Sequence, residues 1–355
     1  MTSLRRPFLI LLLTVLLALA GCQRNPIWQR EFYAMGTLVS VEIYGLPEDT
    51  AERAMDRVEN DFQAMHHAWH AWEGGPLVQL NQALARGETV QLPDVLAPLI
   101  PPAIRLANQS DNLFNPALGR LFRLWGFQGN ERHQPPDPQA IQAILDQHPR
   151  MSDLVLESQR IRSTNPAVQI DLGGFAKGWA VDRVIEELRQ QGVKNAIVNA
   201  GGDLRAIGRH GQRPWRIGIR NPRGEGAIAA VEVSGDESVF TSGDYERYFE
   251  YQGQRYHHIL DPRSGRPARG TRSLTVIYPE AATADAAATA LFVAGDDWPR
   301  IAHQLGVTQV LRIRSDGVAE MSPAMAAHLE WIEKPVQKPV IRRYNPGLPA
   351  DSPPS

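Results

Sequence analysis

The sequence predicts an α+β fold built on a largely antiparallel sheet. Short stretches of alternating apolar residues recur along the chain, Gly, Pro and Asn turns join them at close spacing, and amphipathic helical segments interrupt them. With 355 residues, 43% hydrophobic and 21% charged, the chain has a globular composition and enough length for one large domain or two lobes. No internal repeat with a period of ~20–50 residues is visible.

In chain order, Arg5 and Arg6 precede an apolar run from Phe8 to Ala20 that is short for a membrane span but suits the core of a signal peptide. Leu19-Ala20-Gly21-Cys22 follows and resembles a bacterial lipobox, which predicts cleavage before Cys22 and lipid on its thiol. The expected division is a signal peptide over 1–21, a tether over 22–32, a folded domain over 33–334 and a disordered tail over 335–355, where six prolines sit among polar residues. Leu38 to Tyr44 alternates as a half-buried strand does. Ala51, Ala54, Met55, Val58, Phe62 and Met65 recur at helical spacing after Asp49 and Thr50, either of which could cap the helix. His66 and His70 at its end share a face, as a metal pair would, but no Cys or third His accompanies them on that face. A short helix is expected over Leu77 to Leu84 and another around Pro138 to Gln147, after a polar insertion at Glu131 to Pro138. Val168 to Leu172 reads as a strand, followed by a helix with Trp179, Val181, Val184, Ile185 and Leu188 inward and Gly192 at its end. Further strands are expected at Ala196 to Ala200, Trp215 to Ile219, Ala227 to Val233, Arg255 to Leu260, Leu274 to Tyr278 and Val307 to Ile313, with a helix at Trp298 to Leu305.

Net charge is −2, from 37 basic and 39 acidic residues, so the chain lacks the basic footprint of a nucleic-acid binder, and nucleic acid is excluded as the main partner. The single cysteine, Cys22, leaves none for a disulfide or a thiol nucleophile once it is lipidated. The chemistry-bearing residues concentrate between Thr241 and Thr289. Asp285 and Thr289 are four apart in an alanine-rich helical run, so a carboxylate and a hydroxyl share one face; these are hard oxygen donors of the kind Mg²⁺ takes alongside water or phosphate, or else a solvated Asp near a helix start. Asp171-Leu-Gly-Gly-Phe-Ala-Lys177-Gly178 places a glycine turn before a helix start, either a plain connection or an anion site, with Lys177 facing a phosphate or Asp171. Gly201-Gly202-Asp203 is a hairpin turn or a phosphate-facing nest. Thr241-Ser242-Gly243-Asp244 is an Asx-type turn or a nucleotide loop. His258 and Asp261 stand three apart beside Pro262, two groups able to take a proton from a hydroxyl.

These segments, with Ala34-Met35-Gly36-Thr37, Phe114 to Phe127, His257 to Gly265 (HHILDPRSG) and Ala282 to Thr289 (ATADAAAT), come in one order from about Tyr33 to Gly295 and resemble the ApbE family of FAD:protein FMN transferases. The resemblance implies helices packed over antiparallel sheets and an active site in a cleft between lobes. It implies Mg²⁺ at Gly174, Asp285, Ala288 and Thr289, and FAD as substrate held by Met35, Trp72, Leu113, Phe114, Asn115, Asp171, Lys177, Thr241, Ser242, Gly243, Asp244 and Ile259. His258 and Asp261 fall in the block of catalytic residues, where Ser264 replaces the commoner Thr. Pro76, Asn115 and Ala117 also depart from the pattern, at places where Ser, Asp and Thr are usual. The implied reaction is attack by a Thr or Ser hydroxyl of an acceptor flavoprotein, an Nqr/Rnf-like subunit or another FMN-binding domain, on the FMN phosphorus of FAD, with release of AMP. Two alternatives stand beside it: an FAD pyrophosphatase giving FMN and AMP, and a non-catalytic flavin-binding lipoprotein. The expected location is the bacterial cell envelope, lipid-anchored and facing the periplasm, with the inner membrane preferred on family grounds over the outer.

Overall fold

Because successive side chains of a strand point to opposite faces, one sheet with apolar residues on both faces supports two cores. The computed structural model describes residues 26–127 and 134–344. The chain runs through β1 (Ile27–Ala34), β2 (Thr37–Tyr44), α1 (Glu48–Trp69), α2 (Pro76–Ala85), β3 (Val90–Gln91), α3 (Ile100–Gln109), α4 (Gly119–Trp125) and α5 (Pro138–Leu145). It continues through β4 (Leu154–Glu157), β5 (Arg160–Ser163), α6 (Ala176–Gln190), β6 (Ala196–Ala200), β7 (Asp203–Gly208), β8 (Trp215–Arg220), β9 (Ala227–Val233) and β10 (Gly235–Gly243). The hairpin of β11 (Tyr248–Tyr251) and β12 (Gln254–His257) and the short β13 (Leu260–Asp261) and β14 (Arg266–Pro267) lead to β15 (Thr271–Tyr278) and α7 (Ala281–Ala294). Last come α8 (Trp298–Leu305), β16 (Gln309–Arg314), β17 (Ala319–Met321), α9 (Pro323–His328), β18 (Leu329–Trp331) and β19 (Val340–Ile341).

Nine strands form the main sheet in the order β1-β2-β6-β7-β10-β15-β16-β17-β19. All neighbours are antiparallel except β17 and β19, which are parallel. Phe240, Leu274, Val276 and Val310 face the helical core with α1, α6 and α7, whereas Val239, Ile277, Leu311 and Ile313 face a second core closed by the β18-β9-β8 sheet. A third cluster joins Trp125, Ile141, Phe249 and Leu260, so it fastens α4 and α5 to the β11–β12 hairpin. α7 is buried along nearly its whole length between α6, β10 and β15, which explains an alanine-rich sequence with few polar groups, Asp285 and Thr289 on one narrow face among them.

Several expectations are corrected. Ile27 to Phe32, assigned to the tether, are strand: β1 pairs with β2 from Ile27 opposite Tyr44 to Ala34 opposite Thr37, so the fold begins before Tyr33. The tail is ordered at least to Tyr344, since β19 pairs with β17 and the Arg342 N–H donates to Met321 O at 2.8 Å. Neither Asp49 nor Thr50 caps α1; Pro47 stands at that position and its carbonyl accepts from the Thr50 and Ala51 N–H groups. Val168 to Leu172 is extended but forms only an isolated bridge, Gln169 to Leu118. The strand expected over Arg255 to Leu260 is broken at His258 and Ile259. Thr241 to Gly243 end strand β10 and are not part of a loop. The signal peptide (1–21), Cys22, the part of the insertion at 131–133 and the tail from 345 lie outside the described residues.

Candidate active site

Two helices cap each other at the centre of the site. The first-turn N–H groups of a helix have no partner within it. In α6 the Gly178 N–H instead donates to Asp285 Oδ2 of α7 at 3.0 Å, and in α7 the Ala281 and Ala282 N–H groups donate to the two carboxylate oxygens of Asp182 of α6, each at 2.8 Å. The helices reach this distance because position 178 has no side chain: a Cβ there would lie 2.3 Å from Ala281 O. One turn beyond Asp285, the Thr289 hydroxyl faces the Gly173-Gly174 turn, 3.1 Å from where a Gly174 Cβ would stand. Asp285, Thr289 and the Gly174 main chain therefore converge, and buried Ala288 packs beside them.

Asp171 shapes the turn by accepting the Gly173 N–H at 2.8 Å. Lys177 ion-pairs with Asp203 Oδ2, and Asp203 Oδ1 accepts the Thr241 N–H at 2.9 Å. The Thr241 hydroxyl lies 2.8 Å from that of Thr275. Asp203 follows the β6–β7 turn, where Gly201 (φ +72°) and Gly202 (φ +100°) need the left-handed region and Gly201 lies against Thr37. Thr37 follows Met35-Gly36, a two-residue turn that holds Met35 at φ 52°, a conformation uncommon for residues other than glycine.

The two adjacent histidines have different surroundings. His257 is buried with both ring nitrogens engaged: Nε2 lies 2.9 Å from Ala268 O, and Nδ1 accepts the Ile259 N–H at 3.3 Å. Burial depresses it to about 4, so it is a structural, neutral residue. His258 is half-buried with Nδ1 3.3 Å from Arg247 O; a ring protonated at Nδ1 donates there and presents Nε2 as a lone pair. Desolvation, then the Arg247 charge, hold His258 well below the ordinary imidazole value. The Asp261 carboxylate turns back on its own loop, accepting the Arg263 N–H at 2.9 Å and pairing side-on with the Arg263 guanidinium, which also donates to Val293 O of α7.

Trp72 and Met35 are partly buried against the helical core, and Leu113, Phe114, Asn115 and Ile259 are buried. Asn115 acts within the fold: its amide donates to Pro149 O at 3.0 Å and its carbonyl accepts the Ala117 N–H at 3.1 Å. Three buried side-chain atoms among the described residues have no hydrogen-bond partner, Asn112 Oδ1, Asp244 Oδ1 and Arg272 Nε. Buried polar groups normally find partners. Two of these three lie in or beside segments that the sequence assigns to the nucleotide, Asp244 itself and Asn112 next to Leu113. Ser242 and Gly243 share that end of β10.

No three His, Cys, Asp or Glu side chains cluster as a metal cage among the described residues. The oxygens at Asp285, Thr289 and Gly174 nevertheless fit Mg²⁺, which is held by one or two carboxylates with neutral oxygens and phosphate. Burial raises the Asp285 carboxyl above the ordinary carboxylate range, and the nearby Lys177 charge opposes the shift. The predicted pairing face of the Asp285 helix is thus present, as is the close approach to Gly174. Sequence reasoning missed Asp182, the carboxylate role of Asp203, the structural need for Gly178, and Arg247 and Arg263. No local pattern signals the two carboxylates, because the backbone N–H groups that Asp203 and Asp182 accept lie 38 to 100 residues away along the chain.

The ApbE family model matches residues 35–311. The FAD:protein FMN transferase of Rhodobacter capsulatus is 44% identical over 316 residues, covering 87% of this chain, which in turn spans 60% of that relative. The enzyme of the same name from Treponema pallidum is 34% identical over 76% of this chain and 79% of its own. Among solved structures, the ApbE protein of Thermotoga maritima superposes with a TM-score of 0.79 at 34% identity, covering 85% of this chain and 99% of its own. The flavinyl transferase ApbE of Pseudomonas stutzeri gives 0.76 at 29% identity, covering 87% and 98%.

Proposed function

The chain belongs to the ApbE family, and on that premise we propose that it is an FAD:protein FMN transferase, joining FMN through a phosphoester to a Ser or Thr hydroxyl of an acceptor flavoprotein and releasing AMP. The observation that carries this reading is the convergence of the buried Asp285 carboxylate, the Thr289 hydroxyl, the Gly174 turn and the α6 N-terminus with Lys177, opposite a neutral His258. The Gly178 N–H is taken by Asp285, so what this end of α6 offers a pyrophosphate is the Lys177 ammonium beside the Gly173-Gly174 turn. Mg²⁺ at Asp285, Thr289 and Gly174 would supply neutralising charge for that pyrophosphate. Lys177 adds a second positive charge beside it. His258 Nε2 takes the hydroxyl proton as the acceptor oxygen bonds to the FMN phosphorus; the bond from that phosphorus to the oxygen of AMP breaks, and AMP leaves with the electron pair. Asp261 holds the loop that aims His258, because its carboxylate is occupied by Arg263.

An acceptor domain incubated with enzyme, FAD and Mg²⁺ and weighed by mass spectrometry should gain one FMN. Free FMN without adduct would instead establish a pyrophosphatase, and unchanged FAD a binding protein. The further reading is an acceptor of the Nqr/Rnf-like type, a lipid on Cys22, and a site facing the periplasm from a cell-envelope membrane, the inner one on family grounds. Cys22→Ser should release the protein from membranes with transfer intact. Pelleting of that variant after signal cleavage would place the anchor elsewhere.

A further inference from the structure

Lys177 stands between two buried carboxylates. It ion-pairs with Asp203, whose side chain is 7% exposed, and it also acts electrostatically on Asp285 of α7, 6% exposed and one residue's N–H away through Gly178. One ammonium stands beside two carboxylates and is ion-paired with only one of them, Asp203. Which carboxylate takes the ammonium decides whether Asp285 is left without it. Asp203 is fixed by its second bond, from the Thr241 N–H at 2.9 Å, at the mouth of the β6–β7 turn, so its hold on Lys177 is set by the sheet and not by the helices.

We propose that Asp203 is a positioning residue that draws the Lys177 ammonium off Asp285 and so keeps the Asp285 carboxylate available to a divalent cation. The inference rests on the cation site assigned above. Without the Asp203 charge, Lys177 turns to the remaining carboxylate and fills the cation's electrostatic role there. Asp203→Asn is close to isosteric and keeps an oxygen for the Thr241 N–H, so it removes the charge with little change of shape.

Mn²⁺ binding to the full-length protein without FAD, read by electron paramagnetic resonance and by calorimetry, tests this apart from turnover. Asp203→Asn should weaken Mn²⁺ binding by ~10-fold or more, the usual scale for losing a group that orients a metal ligand. Adding Lys177→Met should restore affinity to within a few-fold of the parent, a rescue that a merely structural role for Asp203 does not give. Parent-like affinity in Asp203→Asn, or no recovery in the double variant, would overturn the proposal. Should Asp203→Asn not fold, Lys177→Met alone decides, because it should bind Mn²⁺ at least as tightly as the parent and weaker binding would refute the idea. A parent that binds no cation overturns both this inference and the metal assignment. A parent that binds and responds as stated but transfers no flavin sinks only the transferase reading.

Discussion

Asp285 and His258 carry separable parts of the site, and single substitutions should part them. Asp285→Ala removes the only carboxylate of the cation set, so divalent-dependent transfer should vanish across a Mg²⁺ titration while FAD binding, followed by fluorescence, persists. Wild-type turnover in that variant would remove Asp285 from the metal site. His258→Asn should slow transfer by about two decades or more, the scale of losing a general base, with FAD affinity little changed. Since desolvation and Arg247 depress His258, the acidic limb of the rate profile should fall below ~6.5, the unperturbed imidazole value; a limb at or above it would point to another base. His257 bears on stability instead. Its folded pKa, about 4, is below the unfolded value, so its contribution is whole above ~6.5 and is lost as pH falls toward 4. Unfolding free energies from denaturant melts over that window should fall by up to ~3 kcal/mol, and His257→Gln should flatten the slope. The sequence showed both histidines but not which was satisfied, because Ala268 O and Arg247 O reach them across turns that a linear pattern does not encode.

At the scale of elements, α6 and α7 depend on each other more than on their own termini. Neither carries a side-chain cap of its own; each borrows a carboxylate from the other. Gly178→Ala would set a methyl carbon 2.3 Å from the Ala281 carbonyl, so the helices must separate. That should cost about 1–3 kcal/mol by overpacking and weaken the Asp285 contact with it. Gly36→Ala meets no atom within 4 Å and should cost about 1 kcal/mol, through its φ of +73° alone. Equal losses in chemical denaturation would show that the crossing is not tight. Both helices were legible from periodicity and alanine content, yet their capping partners lie 99 to 107 residues away, beyond any local signal. The β1 strand escaped for a different reason: as an edge strand with one partner it exposes Gln29, Glu31 and Tyr33, so its alternation is faint.

Across the whole molecule, the second core and the C-terminal strand close the far edge of the sheet. Glu320, 1% exposed, receives Arg312, Arg314, Arg342 and the Trp298 indole, and Arg342 comes from the segment expected to be disordered. A chain ending at Lys334 should therefore lose about 1–2 kcal/mol and melt several degrees lower; an unchanged melting temperature would make β19 dispensable. The antiparallel architecture was legible because turns and alternation are local, whereas a short parallel strand after a proline-rich stretch is not. The early start of β1 also fixes a distance. With lipid on Cys22, as proposed above, only residues 23–26 would separate the bilayer from Ile27, a span of at most ~18 Å, and β1 adds ~26 Å to the Met35 turn. A transferase so anchored would be a short-armed tool, reaching only hydroxyls presented within about 45 Å of the membrane surface, and lengthening the arm before Ile27 should widen the set of acceptors it reaches.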